Sequence, residues 1–121
     1  MAEPHRFVKA TTLRLLRERP IRSFKIGLFK SITIFLAGGE IFATQGHCVH
    51  MHAPLLTGHL DGTTLTCSWH GWQYDVSTGQ CLTNDWAKLA TYPVKLEGED
   101  VYVGLPEDAA VDKLTEDWER D

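Results

Sequence analysis

The order of apolar and polar positions changes several times along this chain of 121 residues. Ile32-Thr33-Ile34-Phe35-Leu36-Ala37 is its most apolar run, and Gly38-Gly39 follows at once. Glu40-Ile41-Phe42-Ala43-Thr44 then returns, so the two runs predict a β-hairpin with a tight glycine turn. Phe24–Leu28 predicts a strand ahead of it. Thr63–Thr66, in which Leu65 alternates with polar neighbours, and Trp72–Val76 predict two short strands further on, with a turn at Ser77-Thr78-Gly79. Tyr92–Leu96 and Asp100–Gly104 flank Gly98 as a closing hairpin. Short strands separated by turns predict a mostly antiparallel β fold, a small sandwich or barrel. Residues 46–62, rich in Gly, His and Pro, read as a loop. Residues 11–19 fit either a short helix stopped by Pro20 or a loop crossing the sheet. Residues 107–119 read as an exposed helix or a frayed tail. No repeat, linker or second domain interrupts the pattern, so one domain is expected over 1–121, with its core at about 7–105 and a terminal helix or tail at 106–121.

Composition changes this picture little. A hydrophobic fraction of 43% is ordinary for a globular chain. The apolar run at 32–37 is far too short to span a bilayer, and the N-terminus lacks the apolar stretch and cleavage-like site of a secretion signal. Three cysteines make a disulfide scaffold a poor reading and favour a cytoplasmic protein. The net charge of −4 is unevenly spread. Arg6, Lys9, Arg14, Arg17, Arg19, Arg22, Lys25 and Lys30 fall in the first quarter, whereas acidic residues from Glu97 to Asp121 crowd the end. The basic part lacks interleaved aromatics, so nucleic-acid binding is not expected. A solvated surface and a docking face for a charged protein both remain open.

The chemistry is concentrated in two short stretches. Cys48-Val49-His50 reads C-x-H and Cys67-Ser68-Trp69-His70 reads C-x-x-H, with sixteen residues between His50 and Cys67. Two close pairs on two loops offer four ligands with little chain to order per ligand. Thiolate and imidazole suit zinc or iron–sulfur chemistry, and zinc accounts for a Cys2His2 set as well. The spacing fits neither the helix-borne histidines of a zinc finger nor a Cys-x2-Cys knuckle.

C-x-H-x16-C-x-x-H, with Ala53-Pro54-Leu55 after the first pair and Trp69-His70-Gly71-Trp72, Tyr74-Asp75 and Thr78-Gly79 around the second, resembles the Rieske-type ferredoxins. The resemblance runs from about Phe24 to Leu105. It implies a Rieske iron–sulfur fold, a small antiparallel β-sandwich with a cluster-binding subdomain of two loops, and one [2Fe–2S] cluster. By the same resemblance, Cys48 and Cys67 hold the inner iron. His50 and His70 hold the outer iron through Nδ1 and turn their Nε2 edges toward solvent or a docked partner. Those exposed nitrogens imply a reduction potential that falls as pH rises through their ionisation.

The chain departs from the family at several points. His52 stands where Gly is usual, so it is a surface-loop histidine or one that tunes the cluster or meets a partner. Ser68 replaces the usual Pro. His47 is read as structural or exposed, Trp69 as loop packing or a shield for the cluster, and Pro54 as a residue that fixes the first loop. The extra cysteines that bridge the loops in cytochrome-complex Rieske proteins are missing, and Cys81 is read as a small buried hydrophobe. Without that bridge, and with Trp72 where those proteins have Ser, fewer hydrogen bonds to sulfur and a low-potential cluster are expected.

Such a cluster moves one electron and offers no open coordination position. No facial triad or nucleotide-binding glycine motif accompanies it. The resemblance implies a non-catalytic carrier: the ferredoxin component of a bacterial dioxygenase system. It would be a cytoplasmic monomer docking transiently with a flavin-dependent ferredoxin reductase and with a terminal oxygenase acting on an aromatic compound. Two alternatives stay open, the electron-transfer small subunit of a nitrite reductase-like complex and a structural zinc-binding domain of the same fold. Redox sensing would need an output domain that the chain does not show.

Overall fold

The computed structural model describes residues 5–26, 30–49, 54–68, 71–106 and 114–117. Strand β1 (His5–Thr12) runs into helix α1 (Leu13–Glu18), and β2 (Ile21–Lys25), β3 (Ser31–Ala37) and β4 (Glu40–Gln45) follow. A 3₁₀ turn (Leu55–Thr57) leads to β5 (His59–Asp61), β6 (Thr64–Thr66) and β7 (Gln73–Asp75). Strands β8 (Thr91–Tyr92), β9 (Val94–Glu97), β10 (Asp100–Pro106) and β11 (Thr115–Asp117) complete the described order. Among the described residues all pairings are antiparallel, in three sheets ordered β1-β10-β9, β11-β2-β3-β4-β8 and β5-β6-β7. No helix among the described residues is long and apolar enough to cross a membrane.

The most apolar run becomes β3, and its continuity has a structural reason. Alternate side chains of a strand point to opposite faces, and β3 is buried on both. Ile32 and Ile34 pack with Val8, Leu16, Phe24, Ala43, Val101, Val103, Leu105 and Leu114 in a base core. Phe35 and Ala37 belong to a second core with Cys48, Leu55, Leu65, Cys67, Tyr74, Val76, Cys81 and Leu89. Ile34 and Phe35 are both fully buried, which is worth roughly 2 kcal/mol each. The predicted β3–β4 hairpin forms, and Gly38 and Gly39 take φ of 60° and 81° at its turn, a backbone region that only glycine enters at little cost.

Helix α1 decides between the two readings of residues 11–19. The Thr12 hydroxyl accepts from the Leu15 N–H at 3.3 Å as an N-cap. At the other end the Leu15 carbonyl accepts from the Arg19 N–H at 3.0 Å and from Nε and Nη2 of buried Arg22 at 3.1 and 2.9 Å. Six residues are too few for a stable isolated helix, so fully buried Leu16 is what holds this one.

Several elements differ from the sequence expectation. Strand β2 begins at Ile21, three residues ahead of the expected Phe24, and Gly27–Phe29 lie outside the described residues. Strands β1 and β5 were not expected. Strand β1 pairs along β10 from His5 opposite Pro106 to Thr12 opposite Asp100, with a register shift between Lys9 and Thr11. Pro93 splits the expected strand at 92–96 into β8 and β9, because proline lacks the N–H that a ladder needs. In the terminal segment read as a helix or tail, Leu114 is buried in the base core and Thr115–Asp117 pairs with Ser23–Lys25. The edge of β2 thus gives this acidic segment a partner strand. Residues 107–113 and 118–121 lie outside the described residues.

The uneven charge is partly matched in space. Lys9 meets Asp100 at 3.2 Å and Arg17 meets Glu99 at 3.7 Å, so basic β1 and α1 face the acidic β9–β10 turn. These pairs are exposed and add little stability.

Candidate metal centre

The second core ends in two loops. The first leaves β4 and is closed by a backbone bridge between His47 and Pro54, with the Leu55 N–H donating to the Gly46 carbonyl at 3.0 Å. Its root is tightly packed: a Cβ at Gly46 would collide with the Ser31 side chain, so only glycine fits there. Ser31 Oγ also lies 3.3 Å from Nδ1 of half-buried His47. The Gln45 side chain secures the same root from the other side. Its Nε2 donates to the His47 carbonyl at 2.9 Å, and its Oε1 accepts from the Ala90 N–H at 2.8 Å.

The second loop leaves β6 and returns to β7. The Cys67 N–H donates to the Trp72 carbonyl at 2.7 Å and closes it. A pair of hydroxyls ties the loops together. Thr57 Oγ1 donates to the Pro54 carbonyl at 3.0 Å and lies 2.9 Å from Ser68 Oγ. Ser68, which replaces the usual Pro, thus gains a contact that proline cannot make.

Cys48 and Cys67 stand at the roots of these loops, 1% and 2% exposed. The fold brings both into the second core. The other two expected ligands, His50 and His70, lie outside the described residues, as do His52 and Trp69. Pro54 is described, and a backbone bridge pairs it with His47 at the closure of the first loop.

Tyr74 is the residue whose role the sequence did not reveal. It is fully buried on β7, and its hydroxyl lies 3.0 Å from Cys48 Sγ. The same oxygen accepts from the Val49 N–H at 3.3 Å, which leaves its proton to point at sulfur. Burial, and then the contact with Cys48, push this hydroxyl well above the usual phenol range. It therefore stays protonated and acts as a donor. The signal available was the period-two pattern of residues 73–75, which turns Tyr74 inward, but its partner is set by the fold. Cys81 is buried as expected and is bridged to Tyr74 through the backbone. Its Sγ lies 3.4 Å from Thr83 Oγ1.

Two buried thiols at adjoining loop roots, one with a fixed hydroxyl donor, fit thiolate ligands of a metal centre that needs its negative sulfur charge compensated. This half of the donor set fits an iron–sulfur cluster.

Residues 8–93 match the Rieske [2Fe-2S] domain, and the chain belongs to that family. It is 36% identical over 77 residues to the ferredoxin component of the naphthalene 1,2-dioxygenase system of Pseudomonas aeruginosa, an alignment spanning 63% of this chain and 74% of that protein. It is 37% identical over 78 residues to the 3-phenylpropionate/cinnamic acid dioxygenase ferredoxin subunit of Shigella boydii, with the same coverage. Among solved structures, a complex of reduced oxygenase and oxidized ferredoxin in carbazole 1,9a-dioxygenase contains a chain that superposes with a TM-score of 0.75. That chain is 25% identical, and the match covers 81% of this chain and 92% of that one.

Proposed function

We propose that this protein carries single electrons between an NAD(P)H-dependent flavin reductase and a terminal Rieske non-haem iron oxygenase acting on an aromatic compound. One [2Fe–2S] cluster would be held by Cys48, His50, Cys67 and His70, and it supplies reversible one-electron chemistry when bound. The observation that carries this reading is the pair of buried cysteines at the roots of two closed loops, in a chain whose relatives are ferredoxin components of dioxygenase systems. The chain's own part is to bury the sulfurs, to fix the loops, and to direct the Tyr74 hydroxyl at Cys48. The reading includes a cytoplasmic monomer that meets its partners transiently.

The test is electron paramagnetic resonance of anaerobically purified protein before and after dithionite, with iron and sulfide assayed on the same sample. A rhombic signal that appears on reduction, with an average g below that of an all-cysteine [2Fe–2S] centre, supports the reading. A colourless, zinc-loaded protein that takes up no iron and sulfide on anaerobic reconstitution overturns it.

A further inference from the structure

Among the described residues few large apolar side chains are exposed, and two of the most exposed share one loop. Trp86 is 69% exposed and Leu82 is 54% exposed. Exposed apolar side chains gathered on one loop mark a candidate contact surface. The Trp86 ring stands edge-on to Trp72, with centroids 5.7 Å apart and planes at 81°, a favoured aromatic geometry. Trp72 is the residue whose carbonyl closes the Cys67 loop.

The loop bearing Trp86 is also held firmly. The Gln80 side-chain amide lies 3.2 Å from each of the carbonyls of Cys81, Asp85 and Ala87. The Leu82 N–H donates to the Gln73 carbonyl at 2.7 Å, which fastens the loop to the strand leaving the cluster-binding loop. An exposed aromatic side chain on a pre-ordered loop has little conformational freedom left to lose on binding, the property of an interface hot spot.

We propose that Trp86, with Leu82 on the same loop and Trp72 behind it, is the apolar anchor against which the terminal oxygenase docks. This rests on the electron-carrier reading above. The occupant is argued from position: the Trp86 ring packs on Trp72, whose carbonyl closes the Cys67 loop, and a structural relative is seen in complex with an oxygenase. In the transfer the reduced carrier gives up one electron and the oxygenase's own oxidised centre takes it up.

The experiment follows reoxidation of the reduced holoprotein by purified terminal oxygenases of the naphthalene, phenylpropionate and carbazole systems. Wild type, Trp86→Ala, Trp86→Phe and a control, Phe7→Ala, at another exposed aromatic, would be compared at increasing oxygenase concentration. The expected result with the oxygenase that wild type serves best is a half-saturating concentration raised about tenfold or more in Trp86→Ala. Trp86→Phe should fall between, Phe7→Ala should match wild type, and the reduction potential and the rate at saturation should not move. An unchanged half-saturating concentration in Trp86→Ala, or a loss confined to reduction by the flavin reductase, overturns the proposal while leaving the carrier reading intact. Failure of wild-type protein to reduce any of the three oxygenases would remove the carrier reading and this inference together.

Discussion

The two cores that share β3 are built from different chemistry. Below Ile32 and Ile34, the base core is composed of aliphatic residues and one phenylalanine. Above Phe35 and Ala37, the second core contains all three cysteines and Tyr74. The first is stabilised chiefly by apolar burial. The second also buries atoms suited to hold a metal centre, and so depends on what binds there. In a domain this small, core burial leaves only a modest margin of stability, and a bound metal contributes directly to folding.

The largest expected contrast comes from removing a proposed ligand. Cys67→Ala should abolish the visible absorbance and the bound iron and sulfide, while circular dichroism still reports folded base strands. Complete unfolding of that variant would mean that the two cores are not separable. Next in size is Ile34→Ala in the base core, which should cost about 2–5 kcal/mol. Urea unfolding with and without the cluster should show a similar cost in both forms, because Ile34 faces away from the loops.

Tyr74→Phe acts on the other core. It removes the donor 3.0 Å from Cys48 Sγ, so the reduced cluster loses more stabilisation than the oxidised one and the potential should fall. A charge-assisted hydrogen bond worth about 1 kcal/mol of difference corresponds to roughly 40 mV for one electron. Protein-film voltammetry reads this, and an unchanged potential would show that the hydroxyl proton points elsewhere.

Alkaline pH gives a graded effect. Burial raises the hydroxyls of Tyr74 and Tyr92 above the phenol value of 10.0. The unfolded chain therefore releases these protons first as pH rises past that value. The stability they contribute is complete below it and is lost as pH climbs toward the folded values, by up to about 1.4 kcal/mol per pH unit for each tyrosine. Urea midpoints between pH 8 and 11 should show the decline, and Tyr92→Phe should flatten it. The smallest effect is expected at the loop tie. Thr57→Val should cost about 0.5 kcal/mol, since its hydroxyl pair with Ser68 is exposed, and should speed cluster loss in air slightly. Paired with Ser68→Ala in a double-mutant cycle, it should show less than additive loss.

What the sequence discloses follows the same division. The β3–β4 hairpin was legible because its pairing is local and its turn glycines are distinctive. Strand β1 was not, since it carries few apolar residues and its partner β10 lies nearly the whole chain away. Strand β5 hid in the Gly- and His-rich loop because Leu60 is its only apolar residue. The short β11 is set by the edge of β2 and not by its own acidic composition. At the site, the spacing of ligand-type residues marked Cys48 and Cys67 and the two loops. The Tyr74–Cys48 contact and the Thr57–Ser68 tie depend on where distant side chains meet, which no local pattern encodes.

The double burial of β3 has a consequence for how this protein opens. A strand that belongs to both cores cannot leave one without disturbing the other, so its amides should exchange with deuterium only through the largest opening events. The backbone of Ile34 then becomes a gauge of cluster occupancy. Loading the metal centre on one face of the strand should slow exchange at residues whose side chains lie on the opposite face, without contact between them.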